Sequence, residues 1–447
     1  DYYSQHLKTD TGTPTMKPIT LTTSRGMSLS GQAMLEGTGS KAYKQKNYGI
    51  SWNGKTDKND WQIQAYMSKF NWSTTSNTKV LGSIPPAGME GMFNFLLQNQ
   101  KNAYDFNHDE HNMWAIEGRD SLRVNDHHRV TFGAEYVKDK VAGTGLGKNG
   151  DGVHSITENG TTKFSSEKTL SSYAAYLQDE IEYGKWFIVP AIRYDHHSAY
   201  GSHTSPKIGV TYNATDHFRI KANYGDGFKA PSVSQIYRDL AMQMGRNWVH
   251  LTGNLNLKPE KSKSWDLGVE AEFGKGYGSL TYFDNDVDNL IESIYKGKDG
   301  RYDLYRYENV NKARIKGLEN TLGYRFNDTL EFKVTSTLLD AKDTSAGKDL
   351  TQRARLSQIY QLIYDDHKDT GWSAVLWNQL DYKFVTGKAW ESGESVKKSY
   401  SLTNFSLTRK VNKDTRVYGS VQNIFDKKDA DCDLDGRFWS IGWEHKF

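Results

Sequence analysis

The sequence predicts an all-β chain, a transmembrane antiparallel β-barrel, and three observations carry that prediction. Short segments alternate apolar with polar residues along nearly the whole length. Tight turns and long polar connections join them in strict alternation. One face of each segment is apolar while the other bears full charges, as a wall between lipid and a wet lumen requires. Counted on this period of two, the chain supplies about 18 strands.

The pattern is plainest between residues 186 and 273. Trp186, Ile188, Pro190, Ile192 and Tyr194 share one face. Pro206, Ile208, Val210 and Tyr212 follow, then Phe218, Ile220, Ala222 and Tyr224, each set backed by polar residues. Tight turns are expected near 55–59, 125–128, 184–185, 213–216, 274–276, 327–329, 365–371 and 411–414. Long connections are expected over 7–42, 73–110, 140–168, 226–261, 286–307, 341–350, 385–399 and 425–435. In such barrels the tight turns face the periplasm and the long loops face outside. Asp1 to His6 reads as the stub of one more strand. On the last strand Trp439, Ile441, Trp443 and Phe447 share a face and should meet lipid, whereas Asp266, Glu270 and Glu319 should meet the lumen.

Composition agrees. Hydrophobic residues make up 36% and mean hydropathy is −0.75, which together with the lack of a long apolar run excludes a helical membrane protein. The 27 Tyr and 12 Trp suit interfacial girdles. A net charge of +3 is too near balance to argue for a nucleic-acid partner. The single cysteine, Cys432, allows no internal disulfide. No cationic, apolar leader precedes Asp1, so an export signal is expected upstream or already removed.

Several motifs point to one family. Residues 173–210 read YAAYLQDEIEYGKWFIVPAIRYDHHSAYGSHTSPKIGV, followed by NYGDGFKAPSVSQIY and GNLNLKPEKSKSWDLGVE. Farther on come ENVNKARIKGLE, QNIFDK and the terminal WSIGWEHKF. In this order they resemble the barrel of TonB-dependent outer-membrane receptors, and are most similar to the ferric enterobactin and colicin I receptor group. The resemblance implies a barrel of about 22 strands around an N-terminal plug. It further implies a bacterial outer-membrane location, a ferric siderophore as ligand, energy delivered by the TonB complex, and bacteriocins or phage as further partners. No plug or TonB-contacting segment is legible, and the strand count falls about four short of the 22 expected. An open edge in lipid would leave backbone groups unsatisfied. Residues 1–447 are therefore read as an N-terminally incomplete receptor barrel, its plug and about four strands lying outside this sequence. A smaller plugless porin or a surface-binding barrel is the rival reading.

Catalytic motifs are absent, and the chain is read as no enzyme. Residues 143–150, GTGLGKNG, imitate a phosphate loop, but Asn149 stands where a Ser or Thr would bind magnesium. The ligand candidates lie in two long loops: Tyr237, Arg238, Arg246, Trp248 and His250, then Arg301, Tyr302, Tyr305 and Arg306. Guanidinium groups beside aromatic faces suit a ferric catecholate, a trianion with aromatic flanks. His250, bracketed by FKAP and GNLNL, resembles the axial histidine of haem receptors and supplies the alternative ligand. Asp431, Asp433 and Asp435 with Gly436 match the start of a calcium loop, although Gly442 stands at the twelfth position. His196, His197 and His203 read as strand-end structure. Met89, Met92, Phe93, Leu96 and Leu97 recur at helical spacing and predict a short helix packed on neighbouring loops.

Overall fold

The computed structural model describes residues 2–10, 16–22, 27–98, 103–244, 247–299, 302–386, 395–432 and 434–446. Its main element is one sheet of 23 strands. Ser28–Lys55, Asn59–Ile84, Ala103–Arg123, His128–Gly143, Thr161–Tyr183 and Trp186–His197 pair in succession, all antiparallel. Gly201–Thr215, Phe218–Lys229, Glu260–Phe273, Gly276–Asp299, Tyr302–Asn327 and Leu330–Asp343 continue the series. Leu356–Asp365, Trp372–Val385, Lys397–Asn412, Thr415–Gln422 and Phe438–His445 complete it. Tyr2–Asp10 and Met16–Thr22 lie end to end along the free side of Ser28–Lys55. Counting that pair once, the wall has eighteen strands among the described residues, matching the sequence count.

Each expected tight turn falls within two residues of a strand reversal. Asn327 shows the chemistry: its side-chain carbonyl accepts from the backbone N–H groups of Thr329 and Leu330, closing the turn locally. Gly184 and Gly274 take positive φ at the tips of two-residue turns, where a Cβ would strain the backbone.

The long connections are another matter, and four expectations need correction. The spans 7–42, 73–110, 140–168 and 286–307 are largely ladder rather than loop. Ser28–Lys55 runs for 28 residues and Asn59–Ile84 for 26, well past the roughly 10 that cross a bilayer. Beyond the bilayer both faces of a hairpin meet water, so nothing enforces apolar alternation there. Pairing continues where the sequence signal stops.

The face assignment follows the register. Trp439, Ile441 and Trp443 are 66%, 86% and 65% exposed on the outer face, above Val421, Gly419 and Val417 of the neighbouring strand. Phe447 lies outside the described residues. On the inner face Glu270 pairs with Lys221 and Arg219, and Asp266 accepts from Asn223. Glu319 stands between Thr281 and Thr337 on that same face. Charges there find both partners and water, so none is stranded in hydrocarbon.

The inner face also repeats one packing device. Tyr176, Tyr277, Phe283 and Tyr418 each lie directly opposite a glycine, namely Gly133, Gly323, Gly317 and Gly442. At Gly133, Gly323 and Gly442 a Cβ would come within 2.6 Å of the facing ring, so the ring lies flat on the bare backbone. Outside the bilayer, Glu90–Gln98 forms the predicted helix and seats Phe93 and Leu97 on Leu21, Leu29 and Ala33. Among the described residues, Phe438–His445 pairs with Thr415–Gln422 alone, and the first two strands pair with Ser28–Lys55 alone.

Candidate functional site at the barrel mouth

The connection following Phe218–Lys229 folds onto the inner face of the wall. Ser232 caps the short helix Val233–Tyr237, and Gln235 reciprocates, completing the capping box that S-x-x-Q encodes. The helix buries Val233 and Ile236 against Val141, Leu146 and Leu170. Arg238 then leaves the helix and donates through Nη1 to Asp109 Oδ2 at 2.9 Å and through Nη2 to Ser234 at 2.8 Å. Lys163 grips the next strand through the carbonyl of Ala241, while its ammonium pairs with Asp105 at 2.7 Å. Asp239–Met244 and Asn247–Thr252 form a hairpin.

That hairpin joins the two nominated loops. Asn247–Thr252 runs parallel to Tyr302–Asn327, setting Trp248 beside Tyr302 and His250 beside Leu304. Trp248 and Tyr302 meet edge to face with ring centroids 5.6 Å apart. Tyr305 is buried against Tyr295, and Thr252 donates to its carbonyl. Arg306 is exposed and reaches Asn254 at 3.3 Å. Arg246 and Arg301 lie outside the described residues. Trp248, Tyr302 and Arg306 therefore stitch the two loops together. Arg238 is held by Asp109, and Tyr237 packs on the helix cluster with Lys168 over its ring. Both side chains are thus engaged within the protein itself.

His250 Nε2 sits 2.8 Å from Asp239 Oδ1, so the nitrogen that would ligate a haem iron already has a carboxylate partner. In the last outer loop, the Lys398 ammonium lies 2.8 Å from Asp429 and 2.6 Å from Asp431. Of the three carboxylates nominated for calcium, Asp431 is thus paired with a lysine. Its charge holds the Asp429 carboxyl below its ordinary range, and the pair of acids holds Lys398 above its own. Asp433 is outside the described residues, and Asp435 pairs through its backbone with Lys428. Among the described residues no group of three His, Cys, Asp or Glu side chains is arranged for a metal ion.

Beside Arg238 a pocket of about 310 Å³ opens, lined by Tyr43, Phe70, Trp72, Asp109, His111, Val141, Ser234, Arg238 and Leu240. Tyr43 and Phe70 are stacked at 6.2 Å. Parity places this pocket on the inner face. Lys69 and Asn112 point outward from the same strands, so Phe70, Trp72 and His111 point into the lumen. His111 lies past the apolar band, whose last outward aromatic on that strand is Trp114. It bonds to Asp139, and that bond raises its pKa from the usual 6.5. The result is an aromatic hollow with an imidazole and a guanidinium at its edge. Its volume is at the lower end for small-molecule sites.

Residues 2–424 match the family described as TonB dependent receptor-like, beta-barrel. The chain belongs to that family. As members do, this receptor barrel resides in the bacterial outer membrane. It is 27% identical over 333 residues to a vitamin B12 transporter of Photobacterium profundum, covering 74% of this chain and 50% of that protein. It is 25% identical over 432 residues to the ferrienterobactin receptor of Escherichia coli, covering 87% and 54%. A crystal structure of the ferric enterobactin receptor of Pseudomonas aeruginosa superposes with a TM-score of 0.64 at 20% identity, over 94% of this chain and 67% of that one. The receptor barrel spans about half the length of the curated relatives it matches.

Sequence reasoning overlooked Tyr43, Phe70, Trp72, Asp109 and His111. A signal was present. In SKFNWS the aromatics Phe70 and Trp72 fall on the polar, lumen-facing parity of their strand, where lipid gives no reason for them.

Proposed function

We propose that the receptor barrel captures an anionic ferric siderophore, a catecholate, at its mouth, and that uptake is energised through TonB. The observation carrying this reading is the lumen-facing hollow of Tyr43, Phe70 and Trp72 with His111 and Arg238 at its edge. Catechol rings stack on such faces, and the His111 imidazolium donates to catecholate oxygens through the ring nitrogen not bonded to Asp139, while Arg238, held by Asp109 and Ser234, frames the hollow. The relatives named as ferric enterobactin receptors favour the same ligand class. We further propose that additional wall strands and a plug, outside this sequence, complete the receptor. Among the described residues the first and last strands each pair on one side only, which supports that reading, because exposed ladder groups find no water in a bilayer.

The test is direct binding by the whole receptor in detergent, followed by quenching of tryptophan fluorescence. Ferric catecholate is expected to saturate, with Trp72→Phe reducing the quench. Saturation by cobalamin or haem, with no response to ferric catecholate, would reject the assignment.

A further inference from the structure

Away from the mouth, a crevice of about 270 Å³ opens between the outer ends of Leu330–Asp343 and Trp372–Val385. Its walls carry five cations, Lys342, Arg353, Arg355, Lys383 and Lys397, against two carboxylates, Asp340 and Asp349. Arg355 pairs with Asp340 at 3.0 Å, and Lys397 pairs with Asp349. Lys342 reaches Asp340 only at 3.6 Å, Arg353 donates to the Thr351 carbonyl, and Lys383 lies over the Tyr382 ring. The crevice therefore carries a local excess of positive charge.

Register decides which way it faces. Leu338, opposite Leu356, belongs to the lipid-facing row, and Asp340 and Lys342 continue that row upward. Lys342 is directly opposite Asp349, so Asp349 and its partner Lys397 share the outer face. Immediately below stand Leu338, Leu356 and Tyr382, level with one another on three neighbouring strands, with Leu338 and Tyr382 well exposed. Two residues of strand separate Lys342 from Asp340 and two more reach Leu338, so the cations lie within roughly 13 Å of the acyl band. A siderophore passing through the lumen does not meet this face. What meets it is the headgroup layer of the outer leaflet.

We propose that this crevice binds the phosphate group of a phosphorylated lipid in the outer leaflet. Guanidinium and ammonium groups at the edge of an apolar band match an amphiphile whose phosphate lies directly above its acyl chains. The Arg353 fork and two lysines supply donors from three sides, and acyl chains lie along Leu338, Leu356 and Tyr382. Lipid held here clamps the Lys348–Asp349 arm to the wall.

The experiment is native mass spectrometry of the whole receptor in neutral detergent, titrated with bisphosphorylated lipid A and with its dephosphorylated form. Wild type is expected to retain bisphosphorylated lipid A at least tenfold better. Lys342→Ala/Arg353→Ala/Lys383→Ala should lose that preference, Lys342→Arg/Arg353→Lys/Lys383→Arg should restore it, and Asp340→Asn should strengthen it. Heat-modifiable mobility in gels checks that each variant keeps its barrel. Equal retention of both lipids by wild type, or an undiminished preference in a folded alanine variant, overturns the proposal. Displacement of the lipid by millimolar inorganic phosphate alone would show a free-anion site and overturn the lipid assignment.

Discussion

Arg238 Nη1 donates to Asp109 Oδ2 at 2.9 Å across 129 residues of sequence, and both side chains are largely shielded from water. The pair ties the mouth connection to the wall, and the connection in turn roofs the aromatic hollow. Asp109 also accepts from the backbone N–H of Gly145, so one carboxylate anchors two outer connections. Arg238→Ala leaves that carboxylate uncompensated and should cost about 3–5 kcal/mol of local stability. Hydrogen exchange should accelerate through residues 232–252 while the lower wall stays protected. A paired Arg238→Met/Asp109→Leu change should cost less than either single change.

Trp72→Ala should weaken ferric catecholate binding about fivefold, in line with about 1 kcal/mol for an aromatic contact beyond its buried area. Trp114→Ala, on the lipid-facing side of the adjacent strand, should leave binding unchanged. Isothermal titration with both variants compares the two faces within one pair of strands.

His111 makes the hollow sensitive to pH. Its bond to Asp139 raises its folded-state pKa above 6.5. The stability it contributes is thus fully present below pH 6.5 and is lost as pH rises through the raised value. Anion affinity should decline over that same window as the imidazolium loses its charge. His111→Gln should flatten the profile, and NMR titration of the imidazole would locate the midpoint directly.

Gly442→Ala should destabilise the wall by about 1–3 kcal/mol, because a Cβ would meet the Tyr418 ring at 2.3 Å and force it off the backbone. Gly419→Ala is the control. Its Cβ would find only the Ser440 carbonyl at 3.7 Å, an ordinary contact. Urea titration of vesicle-embedded receptor distinguishes the two. Ile441→Lys, on the lipid side of the same strand, should cost about 2–4 kcal/mol in the same measurement.

The wall was legible in the sequence because lipid on one side and water on the other write a period of two into every crossing strand. Ile188, Ile220 and Ile441 are examples. The turns were legible for a different reason: Asn327 and Gly274 satisfy local backbone demands. Above the bilayer neither constraint operates, so the ladder joining Tyr43 to Trp72 left no alternation to read. The parallel pairing of Trp248 with Tyr302 joins segments that local patterns cannot relate. The arginines drew attention through their charge, yet Arg238 is neutralised by a partner that no spacing rule would identify. The hollow was hidden for the converse reason, since its aromatics resemble ordinary strand residues until parity is assigned.

The tall hairpins carry a consequence for how such a mouth changes its ligand. A dry core ties each side chain to its neighbours, so a new residue there disturbs the fold. A ladder standing in water is held by its backbone, and its side chains are comparatively free of one another. Residues such as Tyr43, Phe70 and Trp72 can be exchanged while the register beneath them stays fixed. The extended strands work like a pegboard, where a different pattern of pegs receives a different object and the board remains the same.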